Sequence, residues 1–266
     1  MQIPGKVFVV TGGANGIGRA VVHGLLERGG SVAAVDLSET ALAETKEAAF
    51  TDRLTTHAMD ITDADAVRAL PDQVIAAHGA VDGLVNVAGI IQRFVPINDL
   101  DLQEMQKVFN VNFWGTVGMV KAFLPHLLGR PEAAVVNVGS MGGLVPVPGQ
   151  SAYGASKAAV QLFTEGLYAE LLDTPVAVSM VYPGATNTDI AAHSDTGVTR
   201  DAESSAAAAN MTEPADAAAQ ILDEAIEKGA FRVLIGKDTR MLDRLKRVSP
   251  ERATRLVASR MKDLLG

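Results

Sequence analysis

The sequence predicts an α/β fold in which helices wind over both faces of one open parallel sheet. Three observations carry that prediction. Seven short apolar runs alternate with longer segments whose apolar residues recur every three to four positions, the signature of strands joined by crossover helices. The first run passes straight into a glycine-rich loop, Gly12 to Gly18, that opens a helix; strand, glycine loop and helix N-terminus together form a phosphate-binding turn. Finally, 266 residues with 48% hydrophobic and 20% charged side chains suffice to bury one sizeable core, as single α/β domains of this length do.

The first strand is Val7-Phe8-Val9-Val10-Thr11, apolar on both faces as an interior parallel strand should be. After it, Gly12-x-x-x-Gly16-x-Gly18 lets the backbone approach a pyrophosphate, although a tight turn alone would also use glycines. The second strand, Ser31 to Asp36, ends in a carboxylate 18 residues beyond Gly18. A carboxylate there accepts hydrogen bonds from the ribose hydroxyls of NAD and repels the 2′-phosphate of NADP. Leu37 follows, with no Arg or Lys beside it in the sequence, so NAD is expected over NADP; Ser38 is the better candidate to cap the next helix. Leu54 to Met59 reads as the third strand, ending in Asp60-Ile61, with Thr62 expected to cap a helix through Val67, Leu70, Val74 and Ile75. Asp60 also fits a simple turn. Val81 to Val85 is the fourth strand, followed by the small residues of Asn86-Val87-Ala88-Gly89, over which a nucleotide can lie.

A long helix is expected from Leu102 to about Leu128, with the polar Asn112 marking a local hydrogen bond or a bend. The fifth strand, Ala133 to Val138, delivers Ser140 to the carboxyl edge of the sheet, where such folds bind ligands. The next helix starts near Ser151 and ends around Leu172. On it, Tyr153 and Lys157 are four apart and share a face. A free phenol titrates near pH 10; a neighbouring ammonium is expected to lower it and so make a proton donor and acceptor for alcohol–ketone interconversion. Ser140 is placed to hydrogen-bond the same substrate oxygen. Alone, a Tyr-x-x-x-Lys spacing also fits a solvated helix face; the glycine loop before it favours chemistry. Ala177 to Val181 and Phe231 to Ile235 complete seven strands, and Pro214 opens a helix between them. Residues 189–212 lack periodicity and read as a lid.

There is no cysteine, hence no disulfide framework and no thiolate site. The five histidines show no ligand spacing, which disfavours a zinc alcohol dehydrogenase, and no metal is expected. A net charge of −8 argues against a nucleic-acid partner. No run of about 18 apolar residues exists to span a membrane, and the strand from Lys6 leaves no room for a signal peptide; a cytoplasmic location fits. The charge is uneven: residues 237–266 carry +5 against −13 for the remainder. With apolar residues at Met241, Leu242, Leu245, Val248, Leu256, Val257, Met261, Leu264 and Leu265, this extension reads as two basic amphipathic helices broken at Pro250. They are expected to pack on the acidic domain of residues 1–236 or on a partner subunit, with a membrane surface as the lesser alternative.

Taken together, Thr11-Gly12-x-x-x-Gly16-x-Gly18, Asp60, Asn86-x-Ala88-Gly89, Asn112, Ser140, Tyr153-x-x-x-Lys157 and Pro183-Gly184 resemble the classical branch of the short-chain dehydrogenase/reductase family, over about Lys6 to Ile235. The resemblance implies a doubly wound, Rossmann-like, seven-stranded parallel sheet of order 3-2-1-4-5-6-7. It implies a catalytic tetrad of Asn112, Ser140, Tyr153 and Lys157: Tyr153 as acid/base, Ser140 orienting the carbonyl or alcohol, Lys157 tuning Tyr153 and holding the nicotinamide ribose, Asn112 holding a proton-relay water. By the same resemblance Gly12, Asn15, Gly16, Ile17 and Gly18 meet the pyrophosphate, Asp36 and Leu37 the adenosine ribose, Asp60 and Ile61 the adenine. Asn86, Ala88 and Gly89 line the cofactor, and Pro183, Gly184, Thr186 and Thr188 hold its nicotinamide end. Val87 departs from the commoner asparagine. A homodimer or homotetramer built on the helices of Asn112 and Tyr153 is also implied.

The expected substrate walls are Met141, Leu144, Val145 and Val147, with Ile91, Phe94 and parts of 189–212, all uncharged save the neighbouring Arg93. They suit a hydrophobic secondary alcohol or ketone. The alternatives are a 3-ketoacyl thioester reductase, which Asp36 disfavours, and an NAD-binding sensor or scaffold without turnover.

Overall fold

A computed structural model describes residues 1–188, 190, 194 and 211–261. Seven strands form one parallel sheet in the order β3-β2-β1-β4-β5-β6-β7: β1 Val7–Thr11, β2 Ser31–Asp36, β3 Leu54–Ala58, β4 Gly83–Asn86, β5 Ala133–Val138, β6 Val176–Pro183 and β7 Arg232–Ile235. This is the order expected. The register brings Thr11 level with Val35 and Asn86, Asn86 level with Asn137, and Val138 level with Val181. The carboxyl ends of the strands therefore lie along one edge, and the winding reverses between β1 and β4, where open sheets leave a crevice.

The alternation of side chains along each strand explains why both faces are covered. Phe8, Val10, Val32, Ala34, Val85 and Val136 point to one side, against Val21, Val22 and Leu25 of α1 (Gly16–Glu27), Leu42 of α2 (Glu39–Ala49) and Ile221 to Ile226. Val7, Val9, Ala33, Val35, Leu84 and Val135 point to the other, against Val67, Leu70 and Val74 of α3 (Ala64–His78) and Met119, Phe123 and Leu127. Each fully buried Val, Leu or Phe contributes about 1.5–3 kcal/mol, so the two clusters together outweigh any surface term.

The helix boundaries refine several expectations. Ser38 does cap α2, accepting from the Ala41 amide. Thr62 does not cap α3; Asp63 does, accepting from the amides of Asp65 and Ala66, while Thr62 donates to the Asp60 carboxylate. The long helix from Leu102 comes in three parts: α4 (Leu102–Phe109), a π-helical stretch Asn110–Gly115, and α5 (Thr116–Leu128). Asn112 thus marks a widened turn and not a local side-chain hydrogen bond, since its side chain bonds Ile90 and Ser156, 22 and 44 residues away; π turns recur at functional sites. After β5 come the short α6 (Met141–Leu144) and the 20-residue α7 (Ser151–Glu170). α8 (Pro214–Gln220) continues into a second π stretch, Ile221–Glu227.

The basic extension forms α9 (Lys237–Val248) and α10 (Pro250–Arg260), with Pro250 at the first position of the second helix, where its missing N–H costs nothing. Leu242, Ala253 and Val257 close over Val145, with Met141, Leu144 and Val147 at the margin. Arg232 of β7 grips Asp243 of α9 with two hydrogen bonds of 2.7 and 2.9 Å and lies over the ring of Tyr182. Leu242, Ala253 and Val257 are thus buried on the chain's own body, whereas Met241 and Val248 stay exposed. Leu264, Leu265 and most of the expected lid, 189–212, lie outside the described residues. Among the described residues no helix is long and apolar enough to cross a membrane.

Candidate active site

The ends of β1, β2, β4, β5 and β6 build the site. At the first, Gly12 has φ +69, and a Cβ there would stand 2.9 Å from the amide nitrogen of Ala88. A Cβ on Gly18 would overlap the carbonyl oxygen of Gly12. The loop thus closes on itself and against the β4 loop only because glycines occupy these positions. No side chain caps α1, so its first-turn N–H groups have no side-chain acceptor at Asn15. With a macrodipole worth about half a positive charge at this end, Gly16, Ile17 and Gly18 present a cradle that fits a pyrophosphate. Thr188 packs against Gly16, bringing the β6 loop over the glycine loop.

Asp36 sits at the end of β2 with its two oxygens accepting from the amides of Ala14 and Ser38, at 3.1 Å each. An ionised carboxylate has about four acceptor positions, so two remain for ribose hydroxyls. Leu37 beside it is exposed. In space, unlike in sequence, a cation does lie near: the Arg19 guanidinium hydrogen-bonds the carbonyls of Ala14 and Ala41 and pairs with Glu44. Asp60 is exposed and closes its own turn through Thr62, and Ile61 packs on Gly115 of the π stretch.

The β4 loop is held by Thr11, whose hydroxyl accepts from the amides of Val87 and Ala88. Asn86 donates to Asn137, and Asn137 to Thr164 of α7, a buried polar chain running beneath the site. The Asn86 Oδ1 atom is buried without a protein partner. Sequence reasoning had no signal for Asn137 or Thr164, whose partners are 51 and 27 residues distant.

The expected tetrad converges. Ser140 caps α6, accepting from Gly142 N at 3.0 Å, and its hydroxyl lies beside Gly142 with the Tyr153 ring, where it favours the ionised phenol. Lys157 is 4% exposed, and its Nζ donates to the Val138 carbonyl at 3.0 Å. Asn112, fully buried, clasps Ile90 through both Oδ1 and Nδ2, at 2.8 and 2.9 Å, and donates to Ser156 at 3.0 Å. A Cβ on Gly89 would lie 3.0 Å from Lys157 Nζ and 3.1 Å from Asn112 Oδ1, so both groups face that glycine.

The electrostatics correct one expectation. Burial pushes the Tyr153 phenol above its ordinary value, opposed by the Ser140 hydrogen bond, and Lys157 is not among the groups that lower it. The ammonium is directed at the end of β5 instead, and burial brings it down to about 8. At the end of β6 Pro183 is buried, Gly184 N bonds the Ile235 carbonyl, and Thr186 donates to the Gly184 carbonyl. Asp238, in the first turn of α9, accepts from Ala185 N at 3.3 Å, a support for this loop that nothing in the sequence signalled. Of the expected walls, Met141, Leu144, Val147 and Phe94 are half-buried, whereas Val145 is 1% exposed and turned into the cluster under α9 and α10.

The family model described as short chain dehydrogenase matches residues 6–199. The chain belongs to the short-chain dehydrogenase family. Among relatives, it is 34% identical to an oxidoreductase designated SadH of Mycobacterium tuberculosis, covering 96% of this chain and 95% of that one. It is 34% identical to 3beta-hydroxysteroid dehydrogenase 2 of Eggerthella lenta over 71% of this chain and 74% of the other. Two solved structures superpose closely. A short-chain dehydrogenase/reductase from Burkholderia phymatum in complex with NAD has a TM-score of 0.83, 28% identity, and coverage of 94% and 96%. A short chain dehydrogenase from Burkholderia cenocepacia in complex with NADP has 0.80, 27%, and 98% and 99%. As a short-chain dehydrogenase/reductase the protein is an oxidoreductase acting on CH–OH donors with NAD(P), and its glycine cradle fits that cofactor.

Proposed function

We propose that this short-chain dehydrogenase interconverts a hydrophobic secondary alcohol and its ketone, with NAD as the preferred cofactor and Tyr153 as the acid/base. The observation that carries the reading is that Ser140 and Tyr153 meet beside Gly142, while Lys157 and Asn112 face Gly89 of the β4 loop. When bound, the nicotinamide gives or accepts the hydride. In reduction the Tyr153 phenol gives its proton to the carbonyl oxygen and becomes phenolate; in oxidation the phenolate takes the hydroxyl proton. Ser140 shares that oxygen and orients it. Lys157, at about 8, is mostly protonated at neutral pH and supplies positive charge at the cofactor side. Asn112 fixes Ile90 and Ser156, which sets the spacing between the β4 loop and α7.

The NAD preference rests on Asp36, whose charge opposes a 2′-phosphate; Glu44 engages Arg19, the cation close by. The substrate class rests on Ile91, Phe94, Met141, Leu144 and Val147, and a relative named for a hydroxysteroid is consistent with it. Trp114 and Leu162, exposed on the π stretch and on α7, support pairing of two copies through these helices; light scattering tests this. The decisive experiment assays cyclohexanone, 2-decalone and androstane-3,17-dione with NADH and NADPH. The expected result is turnover of the larger ketones with NADH and its loss in Tyr153→Phe. Turnover confined to acyl thioesters, or undiminished in Tyr153→Phe, would refute the reading.

A further inference from the structure

Gln92 lies in the loop after β4, is 1% exposed, and spends every polar atom of its side chain on a segment 57 to 61 residues away. Its Oε1 accepts from the amides of Ala152 and Tyr153 at 2.8 and 3.0 Å. Its Nε2 donates to the Gly149 carbonyl at 2.9 Å, and its own carbonyl accepts from Gln150 Nε2 at 2.7 Å. Helices leave their first N–H groups without intrahelical partners, and here Gln150, at the start of α7, makes no side-chain cap. The cap comes instead from Gln92.

We propose that Gln92 is a positioning residue for Tyr153: it fixes the first turn of α7 to the β4 loop and so holds the phenol against Ser140. This rests on the reading of Tyr153 as the acid/base. The loop carrying Gln92 is tied to α7 twice, at Tyr153 by Gln92 and at Ser156 by Asn112 through Ile90. The two ties are two residues apart in the loop and three apart in the helix. They flank Tyr153 and leave its main chain little freedom to shift along the helix axis. Gln92 touches neither the phenol oxygen nor the cofactor side, so its effect falls on geometry. A displacement of about 1 Å at a reacting group costs on the order of 100-fold in rate.

Gln92→Met keeps the length and bulk of the side chain and removes three hydrogen bonds. The assay is 2-decalone reduction by NADH, with NADH affinity by fluorescence titration. A second readout needs neither substrate nor cofactor: ultraviolet titration of the Tyr153 phenol, with Tyr153→Phe as the blank. The expected result is a fall in kcat of about 10- to 100-fold, an NADH Kd within about twofold of the parent, and a Tyr153 titration displaced from its parental position. Gln92→Asn, one methylene too short to reach α7, gives the same pattern and serves if the Met variant does not fold. Parental kcat, or a reduced kcat with an undisplaced Tyr153 titration, overturns the proposal; both variants are read only where circular dichroism shows the parental fold, since unfolding would itself return the buried phenol toward its ordinary value. If Tyr153→Phe itself retains full turnover, it is the acid/base reading that has failed and not the placement of Gln92.

Discussion

Lys157 is where the physical cost of this site is concentrated, and Lys157→Met measures it. The side chain is 4% exposed and burial brings its pKa from 10.5 to about 8. At about 1.36 kcal/mol per unit, keeping that ammonium charged inside the fold costs roughly 3 kcal/mol at neutral pH. The sign follows from proton binding. Between pH 8 and 10.5 the unfolded chain still holds the Lys157 proton while the folded chain has released it, so this group makes stability rise with pH across that window. Methionine has no such dependence. It also leaves the Val138 carbonyl without its donor, a loss of about 1–3 kcal/mol that is constant with pH.

The variant is therefore expected to be as stable as the parent or about 2 kcal/mol more stable at pH 7, by the balance of these two costs. The advantage then shrinks, and reverses, by about 3 kcal/mol in all as pH reaches 10.5. Guanidinium unfolding followed by circular dichroism at pH 7, 8, 9 and 10 reads the difference, at one protein concentration and without cofactor. Both proteins should carry Tyr153→Phe, so that the phenol does not titrate differently in the two. Other groups ionising in this range are common to both and cancel. A difference that stays flat within about 1 kcal/mol from pH 7 to 10 would show that the ammonium is not desolvated, and the description of the site would fail.

Three further outcomes are expected. Asp36→Ala removes the charge that opposes a 2′-phosphate while Arg19 remains nearby; the ratio of kcat/KM with NADPH to that with NADH should rise by about tenfold or more, the effect of about 1.4 kcal/mol. Gly18→Ala drives a Cβ into the Gly12 carbonyl; fluorescence titration should show NADH affinity weakened by about 100-fold or more, since distortion at this turn strikes the pyrophosphate cradle itself. Leu242→Ala, in the cluster that joins α9 and α10 to Val145, should cost about 2–5 kcal/mol in denaturant unfolding.

Much of the architecture was legible because parallel strands buried on both faces announce themselves as short apolar runs, and because glycine at Gly12 and Gly18 has a backbone reason that survives any context. The boundary errors have local causes. Asp63, one residue after Thr62, offers the stronger acceptor and caps α3, while the Thr62 hydroxyl is committed to Asp60. The four residues of the proposed tetrad stand at the carboxyl edge of the sheet, but the relation between two of them was not legible. Spacing along a helix correctly put Tyr153 and Lys157 on one face, yet it could not say that the ammonium would reach past the phenol to the Val138 carbonyl. A helical wheel gives direction from an axis, and the end of a four-carbon stem is governed by what lies beyond the helix surface.

What the sequence hides most thoroughly is support that arrives from far along the chain. Thr11 holds the β4 loop, Gln92 caps α7, and Asp238 holds the β6 loop, each across 53 residues or more. None belongs to a periodic pattern, because a single buried polar side chain answers to one unpaired backbone group and not to a surface. The third of these joins the basic extension to the carboxyl edge of the sheet. α9 begins directly at the end of β7, so its first turn necessarily lies beside the β6 loop, and Asp238 there accepts from Ala185. Its later turns bury Leu242 against Val145, behind Met141 and Leu144. The same helix thus backs the loop expected to hold the nicotinamide end and the wall expected to meet the substrate. A substitution that loosens α9 should move both at once, whereas one in the glycine loop should touch cofactor affinity alone.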